Sequence, residues 1–238
     1  WFAGLCAGFV TVVRPTAIIF SVAAAIFVLV ALRGRTWPFW IGAVLGAAPG
    51  IVWNWHFFHT LTGPYGGIAE GGYTLSLPAA AIGLTGLLLS PSKGLLIYTP
   101  LMLLSAFGAV QAARSATRNG LLLALFGAAS LALIINYAFF SRWMGGSSYG
   151  DRYLTDVAGV GALLLLYVWP KRIASVAAFS LLFAYCVAVQ FVGANGEVAG
   201  RWSEVPYKLD AHPERIWALH DTQIERDALA TLHKFIPK

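Results

Sequence analysis

From Thr16 to Leu32 the chain carries no charged residue, and the same holds from Gly120 to Phe140 and from Ile173 to Val192. A helix needs about 20 apolar residues to cross the hydrocarbon of a bilayer. Backbone immersed in lipid must satisfy its own hydrogen bonds, which leaves helix as the form such runs take. Elsewhere the composition agrees: 58% of residues are hydrophobic and 11% charged, with mean hydropathy +0.72, where soluble domains carry about 25% charged residues. The expectation is an all-α polytopic transmembrane bundle. The net charge of +6 does not signal a nucleic-acid partner, because the basic residues fall in short gaps between apolar runs.

Arg14-Pro15 interrupts the first apolar stretch, since proline ends a helix and an arginine is expensive in lipid. A short or broken helix to Val13 and a span from Thr16 to Leu32 follow from that. A second span is expected over Trp37–Trp55, bent at Pro49, with Trp53, Asn54, Trp55 and His56 as an interfacial belt. Gly42, Gly46 and Gly50 recur every four residues there and form a face for close helix packing. Leu77–Leu89 is too short to span and reads as a re-entrant or interfacial helix. Further spans are expected over 94–113, 120–140, 157–169 and 173–192. Arg33/Arg35, Arg114/Arg118 and Lys171/Arg172 then share one side, which the positive-inside rule makes cytoplasmic. Loops 56–93 and 141–156 and the tail face outward.

Two domains are expected: transmembrane helices over 1–193, and an extracytoplasmic tail over 194–238 that holds half of the charged residues. In the tail, Thr222 and Glu225 form a capping box opening a short helix. Ile224, Ala228, Leu232 and Phe235 would line one face of it, against the membrane surface or the outer loops. Cys6 and Cys186 lie inside apolar runs and read as buried small hydrophobes rather than a disulfide. The chain opens on Trp1 with no cleavable signal, so a processed or incomplete chain is expected.

Chemistry is expected in the outer loops. The segment from Ser141 to Tyr153 is the richest, with glycines that permit close backbone approach. Arg142 and Arg152 could grip a phosphate with forked donors while Asp151 orients one of them, or both could snorkel to headgroups. Trp143 and Tyr149 belong to the same loop. Gly146-Ser147-Ser148-Tyr149-Gly150 matches G-x-S-x-G, but nothing suggests the strand that a nucleophile elbow needs. Lys93 could hold an anionic headgroup as a point charge or be an ordinary interfacial lysine. Glu70, the sole carboxylate between Trp1 and Phe140, is a substrate ligand, a general base or a solvated loop residue. His56 and His59 lack a third metal ligand, so no metal is expected. Arg14, alone in an apolar stretch, is expected to pair with something functional or anionic.

Four segments resemble motifs of the polytopic GT-C membrane glycosyltransferases, the bacterial relatives of protein O-mannosyltransferases and arabinosyltransferases. Arg14-Pro15-Thr16 is similar to their "[KR]-P-T" junction, and Leu89 to Pro100 to an "SP-x-[RK]-GL-x-x-Y-[ST]-P" stretch. Trp143 to Leu154 resembles "W-x-GG-x-x-[FY]-G-x-R-[FY]-L", and Arg215 to Ile224 an "LW-x-x-x-D-x-Q" ending. The resemblance implies transfer of a sugar from a polyprenyl-phosphate donor at the outer face of a bacterial inner (plasma) membrane. It puts the lipid phosphate on Arg14, Lys93 and Arg152, with membrane lipid and that donor as partners. It places the catalytic acid in the first outer loop, before the region resembled. Either the chain is a fragment with that acid upstream of Trp1 or it is catalytically crippled; no catalytic residue is named. No cofactor is called for; a divalent cation is compatible but not indicated. The alternatives are a transporter or flippase for a lipid-linked or anionic solute, and a non-catalytic membrane assembly subunit.

Overall fold

The computed structural model describes residues 1–64, 72–196, 199–209 and 211–236. Among these there are eleven α-helices and no extended strand. The chain divides into two compact units, residues 1–73 with 108–133, and residues 74–107 with 134–238.

The first unit holds α1 (Phe2–Val13), α2 (Ile18–Leu32), α3 (Trp37–Phe58) and most of α7 (Arg118–Ala138). α1 ends at Arg14, extended at φ −138°, because the residue before a proline is pushed out of the helical region. Pro15–Ala17 forms one 3-10 turn, and α2 follows. α1 and α3 pack backbone to backbone. A Cβ on Gly4 or Gly8 would strike the carbonyl of Phe39 or Ala43, and one on Gly42 or Gly46 that of Trp1 or Leu5. The glycine face expected on α3 therefore meets a matching pair on α1, and tight contact replaces the hydrophobic drive that lipid removes. Polar side chains on these helices bond internally: Thr11 Oγ1 lies 2.8 Å from Ser21 Oγ, and Ser21 donates to the Ala7 carbonyl at 2.9 Å.

The second unit holds α4 (Leu77–Leu89), α5 (Leu95–Tyr98), the first half of α6 (Leu101–Arg114), and α8 (Thr155–Leu164). It also holds α9 (Ile173–Gly196), α10 (Ala199–Trp202) and α11 (Gln223–Phe235). α4 has the bounds expected of it. The span expected over 94–113 is instead broken between α5 and α6, where Thr99 stands before Pro100 with φ −145° and ψ 71°. The reason is again the residue before proline. The run expected from 157 begins at Thr155 and tightens into a 3-10 turn over Leu165–Val168. Leu101, Leu165 and Cys186 form a core cluster. Both cysteines are free; Cys186 is buried, whereas Cys6 lies exposed on α1, contrary to expectation.

Three helical segments are long and apolar enough to cross a membrane: Pro15–Leu32, Arg118–Ala138 and Ile173–Gly196. α3 has the length, but its tryptophans, glycines and Asn54 dilute its apolar character. α9 exposes Ile173, Leu181, Phe183 and Phe191, a surface that suits lipid and not water. The tail helix α11 buries a stripe that the sequence pattern does not mark. Its buried stripe is the polar one, Gln223, Asp227 and Thr231, while Leu232 and Phe235 are exposed. Thr231 Oγ1 donates to the Val192 carbonyl on α9, and Asp227 fills the space left by Gly196. The capping box forms: Glu225 N–H donates to Thr222 Oγ1 at 3.1 Å, and the Glu225 carboxylate reaches back to the Asp221 N–H.

Gly46→Ala should overpack the α1–α3 contact and cost about 1–3 kcal/mol, read as a lower unfolding midpoint in nanodiscs. Gly34→Ala, with open space around it, should leave the midpoint nearly unchanged.

Candidate functional site

Lys93 is the centre of the second unit's polar architecture. Ser90 ends α4, and its hydroxyl accepts from the Lys93 N–H at 2.9 Å, turning the chain inward. The Lys93 side chain is 1% exposed. Its ammonium donates to the carbonyls of Gly146 (3.0 Å), Ser148 (2.6 Å) and Gly150 (3.3 Å), three acceptors for three protons. Those carbonyls can converge because Gly145, Gly146 and Gly150 have φ of 73°, 65° and 61°, a region open mainly to glycine. The Trp202 ring closes the cage with its centroid 6.0 Å from the ammonium. Burial brings the Lys93 pKa down to about 8, Asp151 pulling it up and Arg152 pushing it down; the group remains mostly protonated at neutral pH.

The tail supports the same loop. Gln223, fully buried, accepts from the Gly150 N–H at 3.0 Å and donates to the Ser148 carbonyl at 3.1 Å. The Tyr98 hydroxyl donates to Ser92 O at 2.9 Å and lies 3.3 Å from Gln223 Oε1. Arg215 stacks on the Trp202 ring at 4.5 Å and pairs with Asp221, which Arg226 holds from the other side. Burial would raise the Asp221 pKa, but hydrogen bonds from Arg226 and Arg215 outweigh it and hold the carboxyl below its ordinary value.

Beside this cage lies a half-open groove of about 790 Å³, within the size range of small-molecule sites. Lys93, Tyr149, Asp151 and Arg152 all line it, with Tyr98, Thr99 and Thr155. Leu95, Leu154, Val187 and Phe191 supply apolar wall. Asp151 Oδ1 accepts from the Tyr153 N–H at 2.8 Å and caps the 3-10 turn carrying Arg152. The Arg152 guanidinium lies 5.3 Å from the Tyr153 ring centroid, and that ring stacks on Tyr137 at 4.7 Å. Tyr149 donates to the Val189 carbonyl at 2.9 Å, and burial pushes its phenol well above the usual range.

Four of the expected site residues thus share one groove. Trp143 does not line it and is buried against Gly86 of α4. Arg142 is exposed at the start of the loop and does not line the groove. Arg14 belongs to the first unit, half-buried at the α1 junction. Glu70 lies outside the described residues. No cluster of metal-ligating side chains occurs among the described residues. Gln223, Trp202 and Tyr98 were not singled out individually in the sequence. The Asp221/Gln223 spacing of the tail motif was the signal, without its purpose. Comparison with protein-family models, curated proteins and solved structures found no match.

Lys93→Met should strand three carbonyls and destabilise the second unit by about 2–3 kcal/mol. Between pH 8 and 10.5 the unfolded chain keeps a proton that folded Lys93 releases, so the lysine's contribution to stability rises with pH there. Unfolding midpoints taken across that window should lose this part of their slope in the Lys93→Met variant.

Proposed function

We propose that the chain is part of a GT-C-like membrane glycosyltransferase that binds a polyprenyl-phosphate-linked sugar at the outer face of a bacterial inner membrane. The observation that carries this reading is the groove, which sets Arg152 beside an apolar wall. An isoprenoid phosphate asks for that combination of a cationic point and an apolar channel. Arg152 carries a planar fork suited to two phosphate oxygens. Its turn is capped by Asp151, which fixes where the fork begins. Lys93 adds positive charge behind the carbonyl cage. Stabilising the departing phosphate is the half of the reaction these groups supply. The other half, a base for the acceptor hydroxyl, is not assigned to any residue here.

The four sequence motifs support the same reading in a different way. Three of them, around Lys93, Arg152 and Gln223, belong to the cage and groove just described, so residues far apart in the chain meet in one place. In this reading the loop 141–156 and the tail face outward, and Lys171/Arg172 face the cytoplasm.

The test is binding of a polyprenyl phosphate against the free polyprenol of equal length, with the full chain in nanodiscs. The phosphate should bind tighter, and Arg152→Ala should weaken it by about 10-fold while sparing the polyprenol. Equal affinity for both lipids would sink the reading. So would an Arg152→Ala variant that keeps the phosphate preference.

A further inference from the structure

α11 has two faces of opposite character. Gln223, Asp227 and Thr231, spaced four apart, form one stripe seated on the protein. Ile224, Ala228, Leu232 and Phe235 form the adjoining apolar arc of the wheel, where Leu232 and Phe235 are exposed; Glu225, Leu229 and His233, also four apart, share the remaining side. This inverts a soluble surface helix, which buries its apolar stripe and shows its polar one.

What covers the apolar arc follows from where α11 is fixed. It packs along the C-terminal part of α9, a helix long and apolar enough to cross the membrane. Thr231 holds the Val192 carbonyl, and the Lys234 ammonium holds the Asn195 carbonyl at 3.0 Å, at the end of that span. The Phe235 ring stacks on Phe191 of α9 with centroids 6.2 Å apart. Phe191 is itself half exposed among the lipid-facing residues of α9 and also lines the groove. The outward arc of α11 therefore continues the lipid-facing surface of a spanning helix at its membrane edge. A helix with these two faces at that depth lies in the interface with its apolar side a few ångströms into the acyl boundary.

We propose that α11 is an interfacial helix whose exposed Leu232–Phe235 arc rests on the bilayer. Its polar stripe, through Gln223, simultaneously holds the glycine loop beside the groove. The inference rests on α9 as a membrane span and not on the transferase reading.

The test uses the full chain, with Cys6 replaced by serine, in vesicles of phosphatidylethanolamine and phosphatidylglycerol. Nitroxide labels are placed singly through Leu232→Cys and Phe235→Cys on the apolar arc and through His233→Cys on the side shared with Glu225, with label on buried Cys186 subtracted from the parent. All three sites are exposed, so each substitution should leave the fold intact. Collision with dissolved oxygen should exceed collision with an aqueous nickel chelate severalfold at 232 and 235, and the order should reverse at 233. Nickel access at the two apolar positions matching that at 233 would overturn the proposal, placing the arc in water. Protection from both quenchers would overturn it too, placing a protein partner or a second copy on the arc.

Discussion

A buried ammonium must find acceptors, and in this chain it finds them in a loop that has no regular structure of its own. Lys93 draws the Gly146, Ser148 and Gly150 carbonyls to one point, and the loop takes its shape from that demand. A set of polar groups from distant parts of the second unit is arranged around the result. Ser90 turns Lys93 inward, Trp202 covers it, Gln223 pins the loop's far side, and Arg152 emerges where the loop re-enters a helix. A buried charge is costly unless every hydrogen is taken; here the donors and acceptors match in number.

The parts legible in the sequence were those governed by local rules. Arg14-Pro15 had to break a helix, Leu77–Leu89 was the wrong length to span, and Thr222 with Glu225 had to cap one. The four-residue glycine rhythm on α3 announced close packing, although its partner glycines on α1 went unread. Pro100 carried the same signal as Pro15 and yet sat inside a run apolar enough to hide it. The break at Thr99 shows that local backbone sterics outrank hydropathy when the two disagree.

The less legible parts were those fixed by partners far away in sequence. Nothing near Lys93 reveals that its acceptors lie 53 to 57 residues later. In the tail helix the apolar arc was legible and the buried stripe was not. Gln223 and Thr231 turn inward because distant carbonyls of the glycine loop and of α9 accept from them, partners that nothing near them in the sequence announces.

The bond between Gly150 and Gln223 joins residues 73 apart, and this has a consequence for the order in which the molecule can be finished. Chains emerge from the ribosome N-terminus first. The helices preceding the glycine loop, and the loop itself, are made and handed to the bilayer while its template is still unsynthesised. During that interval Lys93 has its carbonyls within reach but no tail to hold them in register. Assembly of the groove is therefore a late event of biosynthesis, completed only when α11 has been released and has settled against α9.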